Sequence, residues 1–412
     1  MPGWGGGGTV SGAHVRVING NHAAALAAML SRVQVIAAYP ITPQSPVAEL
    51  LAQLVERGEM AAQYVRVESE HSALTVCIAA STVGARAFTA TSANGLAYMH
   101  EQLHWAAGAR LPIVLACANR ALGAPWNVLN DQQDSIAQRD TGWIQMYARD
   151  NQEILDSIIQ AYRIAEQAYV PVMVCYDGYV LSHTVMPVEL PAQETIDRFL
   201  PRYLPHTVLD PGEPMNYNLV TLANPREDAR GVTCHGYMEL RYLLEEALEG
   251  ARETIVAVDQ EYGRLTGRSY GGMVWGYLLE DAELVMVAMG SVATEATVAA
   301  DELRERGHRA GVLGIRVYRP FPARDVVAAL AGARVAAVFD KNISYGYEGA
   351  SCSDIKAALY GSGVDVAVHN YIVGLGGRNV KARDMAQAAE RSLLEAEAGE
   401  RRKGTEWLDC HI

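Results

Sequence analysis

Three short segments set polar side chains just after apolar runs, where a chain folding into a sheet would present them at strand ends. In AAYPITPQSP, Thr42 precedes a proline. Thr and Pro make a good cap and first-turn pair, so Thr42 either starts a helix or turns its hydroxyl, with the helix N-terminus, toward an anion such as a carboxylate. In VRVESEHSALTVC the charges are Glu68 and Glu70. Acidic residues suit the first turn of a helix because they complement its dipole. The chemical alternative sets Glu70 where a second polypeptide closes over it, as a carboxyl able to hold or take a proton. In CANRALGAPWNVLNDQQDSIAQRDTGW, Arg120 is the first charge after the apolar run, followed by Asn127, Asp131, Asp134 and Arg139. Its planar fork suits a bidentate carboxylate clamp; the structural alternative is a salt bridge to the nearby aspartates.

The elements that must position these residues form a βαβ alternation from about Val15 to Gly178. Strands are expected at Val33–Ala38, Tyr64–Val67, Ala87–Thr91, Pro112–Ala116, Trp143–Ala148 and Val170–Tyr176. Helices at Ser45–Glu56, His71–Ser81, Gly95–Gly108 and Asn151–Ala168 repeat apolar residues every three or four positions. A proline-rich stretch from Pro187 to Pro225 reads as a long surface-hugging connection, and a helix at Met238–Ala251 closes the first unit. A second alternation places strands at Glu283–Met289, Ala310–Val317, Val335–Phe339 and Val364–Val368. Its helices fall at Ala293–Arg306, Arg324–Ala331, Gly349–Tyr360 and Lys381–Ala396. The fold class is α/β, two doubly wound domains at 1–255 and 256–412. Loops at the carboxyl ends of such sheets are where sites are built.

The chain has 412 residues, 50% hydrophobic and 20% charged, enough to bury two ordinary cores. A formal charge of −13 argues against a nucleic-acid partner, which calls for a basic face. The six cysteines, Cys77, Cys117, Cys175, Cys234, Cys352 and Cys410, never fall at the CxxC spacing of a zinc or iron–sulfur ligand set. No metal is expected on this chain, and the thiols read as buried groups of a reducing compartment. No apolar run approaches the roughly 18 residues of a membrane span, and the Gly5 to Gly8 opening lacks the regions of a signal peptide, so a cytoplasmic protein without membrane contact is expected. There is no P-loop, and GLGGRN at Gly374–Asn379 is too weak for a dinucleotide fingerprint.

Several short motifs follow one another along nearly the whole chain. They are YPITPQSP from Tyr39, ESEHSA from Glu68, TSANGL from Thr91, NRALGAPWN from Asn119 and QDSIAQRDTGWIQ from Gln133. The second unit adds GRSYG from Gly267, RVYRPFP from Arg316, DKNISYGYEGA from Asp340 and YIVGLGGRNV from Tyr371. In this order they resemble the alpha subunit of the split, multichain pyruvate:ferredoxin and related 2-oxoacid:acceptor oxidoreductases. The resemblance implies a thiamine-pyrimidine-binding domain followed by a transketolase-C-terminal-like domain. It also implies that Thr42 and Arg120 bind the substrate carboxylate, that Glu70 engages the pyrimidine nitrogen of thiamine diphosphate and that Pro40 belongs to the same ring pocket.

No GDG with a paired Asn some 30 residues on, the usual diphosphate and magnesium site of thiamine enzymes, occurs in the chain. The resemblance assigns that half, with magnesium and the iron–sulfur clusters, to partner chains. Beta-, gamma- and delta-type subunits are implied, with coenzyme A as cosubstrate and ferredoxin or an NAD-linked acceptor beyond. One motif departs from the family: Asp340-Lys341-Asn342 stands where an acid, Arg and Asn are expected. Arg316, Arg319 and Lys341-Asn342 could touch coenzyme A or a partner, or serve as turn and interface residues. Pyruvate is the default substrate. Trp126, where a smaller aliphatic residue is expected, could line a pocket for an aromatic 2-oxoacid such as phenylglyoxylate, or fill space. The competing readings are a transketolase-like or 2-oxoacid dehydrogenase subunit without iron–sulfur partners, and a non-catalytic scaffold, against which the intact Glu70, Thr42 and Arg120 argue.

Overall fold

The computed structural model describes residues 9–10, 13–205, 226–227, 233–234, 236–400 and 404–412. Its largest sheet has seven strands in the order Val317–Arg319, Ile144–Tyr147, Val172–Asp177, Val114–Asn119, Ala87–Thr91, Val35–Ala38 and Gln63–Arg66. Six are parallel; the Val317–Arg319 strand enters from the second unit and runs antiparallel to Ile144–Tyr147. The central strands are covered on both faces, which is why VLACAN and VMVCYD read as unbroken runs rather than alternating ones. The chain passes from Val35–Ala38 to Gln63–Arg66 on one side, then crosses to Ala87–Thr91 on the other. The sheet's topological switch point therefore lies between the carboxyl ends of the 35–38 and 87–91 strands, where such folds open a crevice.

The second sheet has six strands in the order Val274–Tyr277, Ala310–Ile315, Leu284–Met289, Val335–Asp340, Ala367–Ile372 and Thr405–Trp407. Only the first is antiparallel. One face builds its own core with the Gly290–Glu305 and Ala382–Glu397 helices, while the other joins the core of the first unit. The two expected cores are thus fused along one side. Arg316 lies inside this junction, fully buried, with its Nε donating to Glu153 at 2.8 Å.

Helices expected at Ser45–Glu56 and Asn151–Ala168 have those bounds. Asp150 caps the latter by accepting from the Glu153 N–H. Other segments differ. The Pro112–Ala116 strand starts at Val114, since Pro112 lacks an N–H for the ladder, and runs on to Asn119, so Arg120 follows it directly. The single helix expected at Gly95–Gly108 is two, Ala93–Tyr98 and His100–Gly108. The Val364–Val368 strand is Ala367–Ile372, because the ladder continues through buried His369 and Asn370, polar residues that read as a strand end.

The helix expected at Met238–Ala251 spans Tyr237–Thr266 and stops only at Gly267, whose φ of +77° suits glycine alone. The 255/256 division therefore falls inside a helix rather than in a linker. The proline-rich stretch is not a featureless connection: Val185–Leu190 pairs with Ala13–Asn19, and Gln193–Phe199 is a helix whose Phe199 packs edge-on against Tyr262. Pro211, Pro214 and Pro225 lie outside the described residues. Cys77, Cys117, Cys175 and Cys352 are buried as expected, whereas Cys410 is exposed; the Cys234 side chain and the Gly5 to Gly8 opening are outside the described residues. Among the described residues no helix is long and apolar enough to cross a membrane.

Candidate active site

Thr42, Glu70 and Arg120 come from three separate strand–loop junctions, and all three lie at the carboxyl ends of the large sheet. The YPITP turn is fixed from below. Buried Asn21 donates from Nδ2 to the Pro43 carbonyl at 2.7 Å and accepts at Oδ1 from the Tyr176 hydroxyl at 2.9 Å. Gly178 sits so close that a Cβ there would stand 2.3 Å from the Asn119 carbonyl oxygen and 2.8 Å from Pro43 Cγ. This packing brings the Thr42 carbonyl within 2.7 Å of Arg120 Nη1, which donates to it. The Thr42 hydroxyl is exposed and makes no protein hydrogen bond among the described residues.

Neither sequence reading of the Thr42 segment holds in full. The helix starts at Ser45 with Gln44 at its cap, so Thr42 is no N-cap. Nor is that helix N-terminus open to an anion. The Gln44 and Ser45 amides donate to the Ile41 carbonyl, the Val47 amide to Gln44, and Pro46 has no N–H. With that helix end closed, the Thr42 hydroxyl and the Arg120 guanidinium are the polar groups of this turn not already spent on the helix start.

Arg120 is 5% exposed, and its Nε is buried without any partner. The aspartate salt bridge does not form. It is the Arg120 backbone N–H that donates to Asp134, at 3.0 Å, while the guanidinium points back to Thr42. Burial lowers the guanidinium pKa from the usual arginine value, with the charges of Asp134, Tyr179 and Glu70 opposing. A buried cation with an unpaired donor is costly unless something anionic completes it. The Arg120 guanidinium carbon lies 5.5 Å from the centroid of the Trp126 ring. That indole is 78% exposed, so in this chain it covers the cation rather than walling an enclosed aromatic pocket.

Glu70 is the first residue of the Glu70–Thr82 helix, capped by Ser69, whose hydroxyl accepts from the Ser72 N–H at 3.2 Å. The residue is 8% exposed, and its carboxylate makes no hydrogen bond among the described residues. It lies against Gly95, where a Cβ would come within 2.6 Å of Glu70 Oε1 and of Thr91 Oγ1. The Thr91 and Ser92 hydroxyls beside it are also buried and unpartnered. Glu68 is different: it is exposed, accepts from the Ser72 hydroxyl, and that bond holds its pKa low. Of the two acids, Glu68 serves the helix start and Glu70 is left free to meet a ligand.

Asp134 organises the floor between them. It is fully buried and accepts from Asn119 Nδ2 at 2.7 Å, from the Arg120 amide at 3.0 Å and from the Ala93 amide at 2.9 Å. Ala93 has a φ of +45°, left-handed backbone that a β-carbon disfavours and that this bond helps to hold. Burial pushes the Asp134 carboxyl up to about 6, against the hydrogen bonds that favour its charge. Pro40 is exposed just past the Val35–Ala38 strand. Among the described residues no group of three or more His, Cys, Asp or Glu side chains could hold a metal ion.

This geometry occurs in a chain whose residues 26–249 match the family model "Pyruvate flavodoxin/ferredoxin oxidoreductase, thiamine diP-bdg" and whose residues 282–385 match "Pyruvate:ferredoxin oxidoreductase core domain II". It is 47% identical over 380 residues to pyruvate synthase subunit PorA of Methanothermobacter thermautotrophicus, covering 92% of this chain and 95% of that one. The chain belongs to the 2-oxoacid:ferredoxin oxidoreductases, as an alpha subunit. It is also 44% identical over 392 residues to ketoisovalerate oxidoreductase subunit VorA of Pyrococcus horikoshii, covering 95% and 97% of the two chains. A solved 2-oxoglutarate:ferredoxin oxidoreductase from Magnetococcus marinus, with 2-oxoglutarate, coenzyme A and succinyl-CoA bound, shares the fold. The TM-score is 0.70 at 19% identity over 92% of this chain, which spans 65% of that longer chain. Members of the family are oxidoreductases that act in complexes. The three relatives above are named for pyruvate, ketoisovalerate and 2-oxoglutarate, none of them an aromatic 2-oxoacid.

Of the alpha subunit's expected site residues, Thr42 and Arg120 are in direct contact, and Glu70 lies close enough to act on the Arg120 charge. The sequence alone assigns no role to Asn21 or Gly95, and it offers Asp134 only as one possible salt-bridge partner of Arg120. Asp134 is one of four acids between Asp131 and Asp150, and nothing in the spacing marks it as the one that turns inward. The lone glycine in TSANGL was the available clue to a close approach.

Proposed function

We propose that this chain supplies the substrate-carboxylate clamp and the pyrimidine half of the thiamine site in a coenzyme-A-dependent 2-oxoacid oxidoreductase. The observation that carries the reading is the buried Arg120 guanidinium, joined to the Thr42 carbonyl and keeping an unpartnered Nε, with the unpaired Glu70 carboxylate nearby. Two buried groups of opposite charge that leave each other unpaired are arranged for ligands, not for stability.

The residues fit the pyrimidine half of the cofactor. Glu70 would offer its carboxylate to a ring nitrogen, Gly95 lets that carboxylate pack close against the Ala93–Tyr98 helix, and exposed Pro40 would border the ring pocket. When bound, thiamine diphosphate supplies an electron sink that lets a 2-oxoacid lose carbon dioxide. Glu70 would hydrogen-bond the pyrimidine nitrogen and so would hold or release a proton there, favouring the tautomer the cofactor's chemistry needs. Arg120 and the Thr42 hydroxyl orient the substrate carboxylate, and Trp126 shields the guanidinium from water. Partner subunits of beta, gamma and delta type, in the cytoplasm, would bring the diphosphate and magnesium site and the iron–sulfur clusters. From those clusters electrons pass to ferredoxin or an NAD-linked acceptor. Residues 1–255 would form the thiamine-pyrimidine domain and 256–412 the transketolase-C-terminal-like domain, sharing the Tyr237–Thr266 helix across the boundary. The relatives' names favour a small aliphatic substrate, pyruvate first and ketoisovalerate second. Nothing in the site favours phenylglyoxylate.

The test is Glu70→Gln in the assembled complex, assayed anaerobically for pyruvate- and coenzyme-A-dependent dye reduction. Loss of a positioned proton-transfer group should cost roughly 10²- to 10⁴-fold in kcat, while the complex elutes at its parental size. Glu68→Gln, altering the exposed neighbour, should keep activity within about threefold, since surface changes are nearly neutral. A Glu70→Gln complex as active as the parent would sink the assignment.

A further inference from the structure

The two motifs of the second unit that no chemistry explained, Asp340-Lys341-Asn342 and GLGGRN, both close on the loop that begins with Arg120. The Gln132 amide donates to the Lys341 carbonyl at 2.9 Å, and the Ile343 amide donates to Gln133 Oε1 at 2.9 Å. The Gly377 amide donates to the Asn130 carbonyl at 2.7 Å, the Gly376 amide to Asp131 Oδ2 at 3.2 Å, and Asn127 Nδ2 to the Gly376 carbonyl at 2.9 Å. Beneath them the buried Lys341 ammonium donates to Asp177 Oδ1 at 3.2 Å. That same oxygen accepts from Asn130 Nδ2 at 2.9 Å, and Asp177 Oδ2 accepts from the Ser291 hydroxyl at 2.5 Å. Residues 127–133 are thus bonded at six points to a surface made by the second unit and the end of the 172–177 strand.

We propose that the second unit is a splint for the substrate loop, with Lys341 and the Gly376–Gly377 turn as positioning residues that set where Arg120 and Trp126 stand. The idea rests on Arg120 being the carboxylate clamp. The loop has little regular structure of its own between Arg120 and the short Gln133–Ile136 helix, so its shape must come from what it leans on. At one end Asp134 holds the Arg120 amide; at the other the second unit holds Asn127 to Gln133. Lys341 meets Asp177 as a point charge through a single N–H···O contact, so the Lys that stands here in place of the family's Arg serves without a fork. Gly376 and Gly377 have φ of +60° and +77°. A Cβ on Gly376 would lie 2.5 Å from Asn127 Nδ2 and one on Gly377 2.3 Å from Leu129 Cβ, so only glycine lets the turn approach the loop.

The experiment compares Lys341→Met, Gly377→Ala and Arg120→Lys in the assembled complex, measuring kcat and KM for pyruvate. Lys341→Met strands a buried carboxylate, so Gly377→Ala is the second route: it keeps every charge, strains the turn at its φ of +77° and presses on Leu129. A displaced clamp should raise KM roughly ten- to a hundredfold with kcat held within about threefold. A purely structural role would instead lower the yield of complex and the apparent kcat at unchanged KM. If Lys341→Met fails to assemble, the Gly377→Ala result decides. Parental KM in the assembled variants, while Arg120→Lys raises it, overturns the splint and leaves the clamp standing. Parental KM in Arg120→Lys as well overturns the clamp and the splint with it.

Discussion

Replacing Arg120 with methionine removes the clamp while filling much of the same space. The guanidinium gives the fold little: one hydrogen bond to the Thr42 carbonyl, with Nε buried and unpaired and burial already working against its charge. Methionine relieves that desolvation, so the unfolding midpoint should stay within roughly 4 °C of the parent. A substrate carboxylate that loses its buried partner forfeits roughly 2–5 kcal/mol, which is on the order of 30-fold to several thousandfold in kcat/KM. Arg120→Lys keeps the charge but not the fork and gives up one charge-assisted bond, roughly 1.5–3 kcal/mol, or about ten- to a hundredfold. The assay is anaerobic dye reduction by the assembled complex with pyruvate and coenzyme A, fitted for kcat and KM separately. A carboxylate held in the ground state predicts that KM takes most of the loss. Methyl pyruvate, which lacks the charge, should inhibit parent and Arg120→Met equally. The reasoning fails if Arg120→Met keeps kcat/KM within threefold, or if the ester loses affinity as strongly as pyruvate does.

Two further expectations come from the same geometry. Trp126→Ala removes a cation–π contact worth roughly 0.5–1 kcal/mol at an exposed site, so KM for pyruvate should rise only about two- to fivefold. The preference for pyruvate over phenylglyoxylate should not move, and a changed preference would restore the aromatic pocket. Asp134 holds its proton more tightly in the native state, at about 6 against the usual 3.8. The stability this contributes is present below the usual carboxylate range and is lost as pH rises through about 6, by roughly 3 kcal/mol for such a shift. The difference in urea unfolding free energy between parent and Asp134→Asn should therefore shift against the parent between pH 4 and 7; a difference independent of pH would refute it.

Much of the frame was legible in the sequence because its strands are buried on both faces and its helices repeat at helical period. Ser45–Glu56 and Asn151–Ala168 needed no tertiary knowledge. The misreadings came where partners far along the chain override local signals. His369 and Asn370 lie inside a strand because buried neighbours accommodate polar groups there, and the proline-rich stretch holds a strand because Ala13–Asn19 pairs with it.

The sequence by itself determined the fold class, the family motifs and the identity of the chemical groups: a threonine, a glutamate and an arginine, each following a strand. Their arrangement was decided by the tertiary structure. The switch of strand order beside Val35–Ala38 brings the Thr42 carbonyl to Arg120. Burial separates Glu70 from Glu68 two residues away, since one carboxylate lies against Gly95 and the other faces solvent. Asp134 turns inward beneath the loop, and the second unit grips that loop from residues more than 200 positions away. Sequence spacing carries no record of such contacts, because burial and hydrogen bonding are properties of neighbours in space.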